Sequence, residues 1–182
     1  KLKYPIHLAF SYDEEIGCRG APDLIAAMVE DLPKPRAVIV GEPTDMNVVN
    51  AHKGASKYTT EVIGHEVHSS QPHRGVSAVT TGARLISFLD DIAVEKRTSA
   101  DPNCEFDPPY STIHVGTVHG GTAFNIVSRK CEFEWEIRNI PSDDPEEIFQ
   151  RFERMCGEKI IPNMHSVSPD TGIVSQNVVS VS

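Results

Sequence analysis

Cys131-Glu132-Phe133-Glu134-Trp135-Glu136-Ile137-Arg138 is the most regular stretch of the chain. Cys131, Phe133, Trp135 and Ile137 alternate with three glutamates and an arginine. Successive side chains of a β-strand point to opposite faces, so this is a strand with one face in a core and the other in water. On its C-terminal side, Asp144, Pro145 and Glu147 supply an N-cap, a proline at the first helical position and a capping-box acid. Ile148, Phe149, Phe152, Met155 and Cys156 then form the buried stripe of a helix, and 173–181 reads as a last strand. On its N-terminal side, 112–118 is a strand ending in Gly120-Gly121, and 96–109 is a polar loop rich in Pro, Asp and Asn. Before that come a helix over 76–93, with Val79, Ala83, Ile86, Leu89 and Ala93 at helical spacing, and an alternating strand over 57–63. The order β-α-β-β-α-β predicts a ferredoxin-like α+β domain. Helices cover one face of such a sheet, which leaves the other face and the edges free to pair, for example with a second copy.

The first fifty residues have a different rhythm. Ile6, Leu8 and Phe10 alternate, Asp23 to Asp31 is a short helix stopped by Pro33 and Pro35, and Ala37-Val38-Ile39-Val40 is a continuous apolar run ending at Gly41. Such a run predicts a parallel strand covered on both faces. Strand, helix, strand makes one βαβ unit, which cannot bury both faces of its sheet. The fold class is therefore α/β: residues 1–52 are expected to be a piece of a larger α/β domain, and 53–182 a separate α+β domain.

The chain has 182 residues, 39% hydrophobic and 24% charged, a globular composition rather than a disordered one. A net charge of −9 argues against a nucleic-acid binder and against a polybasic membrane anchor. Apolar runs are too short for a transmembrane helix or, at the N-terminus, for a signal peptide. Cys18, Cys104, Cys131 and Cys156 fit no zinc-finger or disulfide frame and read as buried or idle thiols in a reducing compartment.

Three sets of residues are candidates for chemistry. Asp13-Glu14-Glu15 follows the first strand and Glu42 ends the next, so these carboxylates are expected at one sheet edge, where open α/β sheets place their sites. Converging acids repel unless a cation joins them. They read as a metal site or as a solvated acidic turn, and carboxylates alone suit magnesium or manganese better than zinc. His65, His68 and His73 fall within nine residues between a strand and a helix. They read as metal ligands, as a polar loop capping the helix, or as a hydrogen-bond donor to a reaction oxyanion. Gly120-Gly121-Thr122-Ala123-Phe124-Asn125 lacks the lysine and spacing of a nucleotide loop. Asn125 reads as a substrate contact or a turn cap, and Arg138 as a cross-strand ion pair or a clamp on a substrate carboxylate.

Five ordered blocks carry a resemblance. They are Ser11-Tyr12-Asp13-Glu14-Glu15-Ile16-Gly17-Cys18; Val40-Gly41-Glu42-Pro43-Thr44 with Ala51-His52-Lys53-Gly54; His68-Ser69-Ser70 with Pro72 and Gly75; Gly120-Gly121 with Asn125-Ile126-Val127; and the strand ending at Arg138. Together they resemble the dinuclear zinc deacylase and carboxypeptidase family, over nearly the whole chain. The resemblance implies a cytoplasmic, metal-dependent hydrolase of N-acyl amino acids, with N2-acetyl-L-ornithine as the substrate best matched. Succinyl-diaminopimelate, a dipeptide or another acyl amino acid is the alternative. It implies two zinc ions per site, with cobalt or manganese as substitutes, and Glu14 as the general base. Glu15 and Glu42 would be ligands to one zinc each. Residues 53–182 would be the family's lid and dimerisation domain, with His68 stabilising the oxyanion in the partner subunit of a homodimer. Asn125 and Arg138 would contact substrate, Arg138 at the α-carboxylate.

The family's zinc site also needs a His-x-Asp, a bridging Asp and a further histidine, and this sequence holds no His-x-Asp. The chain is accordingly expected to be a middle portion of the enzyme, the end of one catalytic half plus the lid, inactive by itself; the second reading is a dimerisation module without catalysis of its own. Calorimetric titration of the 182-residue chain with zinc is expected to show weak binding, and no amide substrate should turn over. Tight uptake of two zinc ions per chain would overturn that expectation.

Overall fold

The computed structural model describes residues 3–181. The chain divides into two compact units, Lys1–Asn50 and Ala51–Ser182. In the first, Glu14–Ile16 is a single 3-10 turn and helix α1 spans Ala21–Asp31. Proline in its first turn starts α1, and Leu32, already extended ahead of Pro33, ends it. The two strands expected at 6–10 and 37–40 are irregular and join no sheet among the described residues. The physical reason is coverage. A parallel pair holds when both faces are buried, whereas α1 buries none of its residues and Ile39 is 94% exposed.

The second unit is built on strand β1 (Ala55–Ile63), helix α2 (Ala78–Thr98), strands β2 (Thr112–Gly120) and β3 (Lys130–Arg138), helices α3 (Pro145–Arg154) and α4 (Ile161–His165), and strand β4 (Gly172–Val181). The sheet order is β2-β3-β1-β4, with every neighbouring pair antiparallel. This is the β-α-β-β-α-β plan read from the alternation of residues 131–138. The register of β1 on β3 sets Tyr58 opposite Trp135, Thr60 opposite Phe133 and Val62 opposite Cys131. Those side chains form the inner face. Leu85, Leu89 and Ile92 of α2 and Ile148 and Phe152 of α3 close over it. Tyr58 stacks between Trp135 at 4.4 Å and Phe149 at 4.6 Å, and Phe152 meets Trp135 at 5.1 Å. Each fully buried ring of this kind contributes about 1.5–3 kcal/mol.

Both edge strands carry a register shift, in β2 at Gly116 and in β4 at Val178, whereas β1 and β3 pair without one. Bulges twist an edge out of register with a stray strand, so their place on the two outer strands discourages unselective pairing.

Three local outcomes extend the sequence reading. Helix α2 runs five residues past the expected end at 93, because Val94, Glu95, Lys96, Arg97 and Thr98 contain no breaker and the basic pair suits a helix C-terminus. Arg151 of α3 pairs with Glu95 through two bonds of 2.9 and 2.7 Å, tying the helices together. The helix begun at Pro145 does not stay α. Met155–Ile160 is a π-turn, with the Ile161 amide bonding the Cys156 carbonyl. Pro162 supplies no N–H for the Glu158 carbonyl and its ring presses on it, which a shift to wider bonding relieves. The 99–111 loop is ordered by Lys53, whose ammonium donates to the carbonyls of Pro108 at 2.7 Å and Tyr110 at 2.8 Å. Burial lowers the pKa of that lysine, against the opposing pull of Cys104 and Asp107.

Asp143 bonds Lys96 at 2.7 Å. Burial acts to raise its carboxyl, but hydrogen bonds from Lys96 and Ser111 and the lysine charge hold it below its ordinary value. Its contribution is therefore present at neutral pH and lost as pH falls through that depressed value. All four thiols are free. Burial pushes Cys131 up, and burial followed by the Glu153 charge pushes Cys156 up to about 12, so both are inert.

Trp135 Nε1 donates to Thr60 Oγ1 at 3.0 Å, and Thr60 Oγ1 meets Ser175 Oγ at 2.9 Å. Thr60 is wholly buried. Thr60→Val keeps the shape but strands the indole N–H, and is expected to lower stability by roughly 1–3 kcal/mol in urea denaturation with an unchanged m-value.

Candidate functional site

The histidine-rich loop leaves β1 at Gly64. The Gly64 amide donates to Arg129 O at 2.7 Å, and His65 and Val76 exchange both backbone bonds, at 2.9 and 3.0 Å. Residues 65–76 are thereby closed into a loop with a fixed neck. A second ladder docks the loop on the segment after β2: Val127 N donates to Val67 O at 2.8 Å and Ser69 N to Asn125 O at 2.9 Å, with His68 opposite Ile126. Backbone bonds alone thus bring the segments that carry two of the candidate residues, His68 and Asn125, into one corner, with Ile126 as the bridge partner of His68.

The start of α2 locks the same corner. Ser77 Oγ accepts from Thr80 N at 3.2 Å, Ser128 Oγ accepts from Val79 N at 2.9 Å, and Ser128 O accepts from Ala78 N at 2.8 Å. The amides that a helix normally leaves unpaired are used here to seat the 121–128 segment. An open cleft results, with Ser69, Pro72, Thr80, Gly121, Ile126 and Ser128 among its walls. Sequence reasoning missed Ser128 and Gly64. A Cβ on Gly64 would press into the Val76 carbonyl and lie 2.8 Å from Ser128 O and 2.9 Å from Ala78 N. Neither residue has a motif of its own, and only the strand crossing shows what each one touches.

The proton on His68 follows from its partners. The Ser70 amide donates to His68 Nδ1 at 3.2 Å, and Ser70 Oγ meets the same nitrogen at 2.8 Å. A backbone N–H can only donate, so in this arrangement Nδ1 accepts and the proton of the neutral ring sits on Nε2. The side chain is exposed. Asn125 is half-buried, and its carboxamide has no partner among the described residues. His65 and His73 do not join His68. His65 Nδ1 turns to Ser168 Oγ at 3.4 Å, and His73 lies in the 3-10 turn Pro72–Arg74.

Arg138 is at the other end of the strand. β3 starts beside the His68 corner and ends at Arg138, eight residue steps or about 27 Å away. There its guanidinium pairs with Glu136 at 2.9 Å on the open face of the sheet. An exposed pair of this kind is worth at most about 1 kcal/mol, so Arg138 can be drawn onto another carboxylate at little cost.

The carboxylates do not converge. Glu14 and Glu15 are exposed on the 3-10 turn Glu14–Ile16, Glu42 is exposed in an irregular segment, and the shared sheet edge expected for them does not form. Among the described residues no three His, Cys, Asp or Glu side chains are grouped to hold a metal ion. The donor set contains no imidazole, so these residues do not by themselves fit zinc.

Residues 50–164 match the peptidase dimerisation domain family. The chain is 37% identical over 161 residues to an acetylornithine deacetylase of Myxococcus xanthus, covering 88% of this chain and 41% of that protein. It is 36% identical over 142 residues to an acetylornithine deacetylase of Buchnera aphidicola, covering 78% and 36%. The chain thus spans well under half the length of these curated relatives. Among solved structures, a hydantoinase/carbamoylase family amidase from Burkholderia ambifaria superposes with a TM-score of 0.52 at 13% identity, covering 71% of this chain and 28% of that one. An aminopeptidase of Bacillus cereus gives 0.50 at 20% identity, covering 69% and 29%. At such identities the likeness is one of fold.

Gly64→Ala tests the neck of the loop. Three backbone atoms crowd the new methyl and none can move alone. The variant is expected to lose about 1–3 kcal/mol in urea denaturation and to lose hydrogen-exchange protection at the Ser69 and Val127 amides ahead of those in β3. Uniform protection across both regions would show that the corner does not depend on this glycine.

Proposed function

This chain belongs to the peptidase dimerisation domain family, and from that premise we propose that it is part of a metal-dependent amide hydrolase acting on N-acyl amino acids, with N2-acetyl-L-ornithine as substrate. The observation that carries the reading is the hydrogen bond from the Ser70 amide to His68 Nδ1. With Nδ1 occupied by the Ser70 amide, Nε2 of the exposed His68 ring is the nitrogen left to donate to the oxygen of a polarised amide carbonyl, and Asn125, in the segment bridged to the same loop, is a second candidate donor. The donors strengthen as that oxygen gains charge, which is stabilisation specific to the transition state. The relatives' name supports the acetylated amine as substrate.

In this reading Glu14 takes the proton of the attacking water and returns it to the leaving amine. Glu15 and Glu42 would be metal ligands alongside residues that this chain does not hold. Arg138 binds the α-carboxylate through its guanidinium fork. The separation of about 27 Å along β3 bears on the assembly. His68 and Asn125 cannot meet the same small substrate as Arg138 within one protomer. In a two-fold dimer the two ends of β3 can serve one site from opposite subunits, so the reading requires a homodimer.

The test uses the full-length protein with added zinc. Ornithine release from N2-acetyl-L-ornithine is expected to be faster than diamine release from N-succinyl-diaminopimelate. His68→Ala is expected to lower kcat by about 10²–10³ with little change in KM. Separately inactive His68→Ala and Arg138→Ala proteins, mixed and allowed to exchange subunits, should regain about a quarter of the wild-type rate, because half the dimers are mixed and each mixed dimer keeps one intact site. No recovery on mixing would place both residues in the site of one protomer and refute the shared-site arrangement.

A further inference from the structure

Phe124 is fully exposed. Among the described residues of the second unit, every other large apolar side chain counted as exposed is a valine, and Phe124 is the one aromatic ring left entirely in water. The ring is not on a loose tip. Ala123 to Ile126 is a β-turn closed by Ile126 N to Ala123 O at 3.3 Å, with Phe124 and Asn125 at its two corners. The turn is held from outside by Ser69 N to Asn125 O at 2.9 Å and Val127 N to Val67 O at 2.8 Å, and upstream by Gly121, whose φ of +80° requires a glycine. Nothing in turn chemistry asks for phenylalanine at the first corner, where proline or a small polar residue is usual. An aromatic ring rigidly presented to solvent forgoes burial that most rings obtain, and its Cα lies one residue step, about 3.8 Å, from that of Asn125.

We infer that Phe124 is the acyl-group specificity residue of the site, forming an apolar wall against the acyl substituent. The inference rests on the amide-hydrolase reading above. In that reading the His68 corner addresses the carbonyl oxygen, and the acyl substituent is bonded to that same carbonyl carbon. It therefore falls beside whatever flanks that corner, and Phe124 stands two residues from Ile126, the bridge partner of His68. The α-carboxylate lies elsewhere, at Arg138, so the ring cannot be reading the acid end of the substrate. Phe124 accordingly favours amides of short uncharged acyl groups. It disfavours acyl groups ending in a carboxylate, whose charge would lose its water against a ring face that is itself negative.

The experiment compares kcat/KM for the N-acetyl and N-succinyl forms of one amine, using full-length wild-type, Phe124→Leu and Phe124→Lys proteins, with dimer content checked by sedimentation. The acetyl-to-succinyl ratio of wild type is expected to fall about 100-fold in Phe124→Lys and to stay within about threefold in Phe124→Leu. A loss shared equally by both substrates overturns the inference, since a merely structural role moves them together. Loss of activity on both substrates together with dissociation into monomers also overturns it, and identifies the ring's occupant as the partner subunit. Wild-type protein that hydrolyses neither amide overturns the hydrolase reading and this inference with it. Active wild type with an unmoved ratio overturns the inference alone.

Discussion

The pairing of β1 with β3, in the register that sets Tyr58 opposite Trp135 and Thr60 opposite Phe133, is the constraint on which the second unit depends. A slip of one residue would turn Trp135, Phe133 and Cys131 to solvent and bring Glu132, Glu134 and Glu136 under the helices. The register is held on both sides. The rings of Phe149 and Phe152 fit only over the aromatic face, and the Trp135 indole finds its acceptor in Thr60, which also reaches Ser175 on the third strand. One buried hydroxyl thus links three strands of the sheet.

That register also fixes where chemistry can occur. β3 begins at the corner shared by the histidine loop, the start of α2 and the 121–128 turn, and it ends at Arg138. Because the strand is rigid, the distance between the donor corner and the guanidinium is set by its length and not by side-chain choice. A small substrate that needs both must be gripped by two copies. In this account dimerisation is a requirement of the strand's length rather than an addition to a finished site. The bulges at Gly116 and Val178 let the edges remain available to a matched partner without inviting an arbitrary one.

The corner itself is built almost entirely from backbone. Gly64, Gly121 and Ser128 matter because main chains approach closely there and because the first amides of α2 need acceptors. The loop that carries His68 and the turn that carries Asn125 are placed by main-chain bonds. Within the loop, the Ser70 amide and hydroxyl both meet His68 Nδ1, which orients the ring.

The alternation of residues 131–138, the cap at Asp144 and the spacing of α2 were enough to read the β-α-β-β-α-β unit, since period and capping are local properties of a chain. The family was legible for a related reason: close-approach glycines and polar site residues fall in a fixed order, as in His68-Ser69-Ser70 and Gly120-Gly121 with Asn125. The apolar run Ala37-Val38-Ile39-Val40 shows the limit of such reading. It has the composition of a parallel strand, but a ladder needs neighbours and coverage that a local pattern cannot supply. Three further results belonged to the tertiary structure alone: the junction of His68 with Asn125, the capping of α2 by Ser128 and the placing of Arg138 at the far end of β3. Each joins or separates residues by how strands cross in space, and crossing distances are not written in the spacing of a sequence.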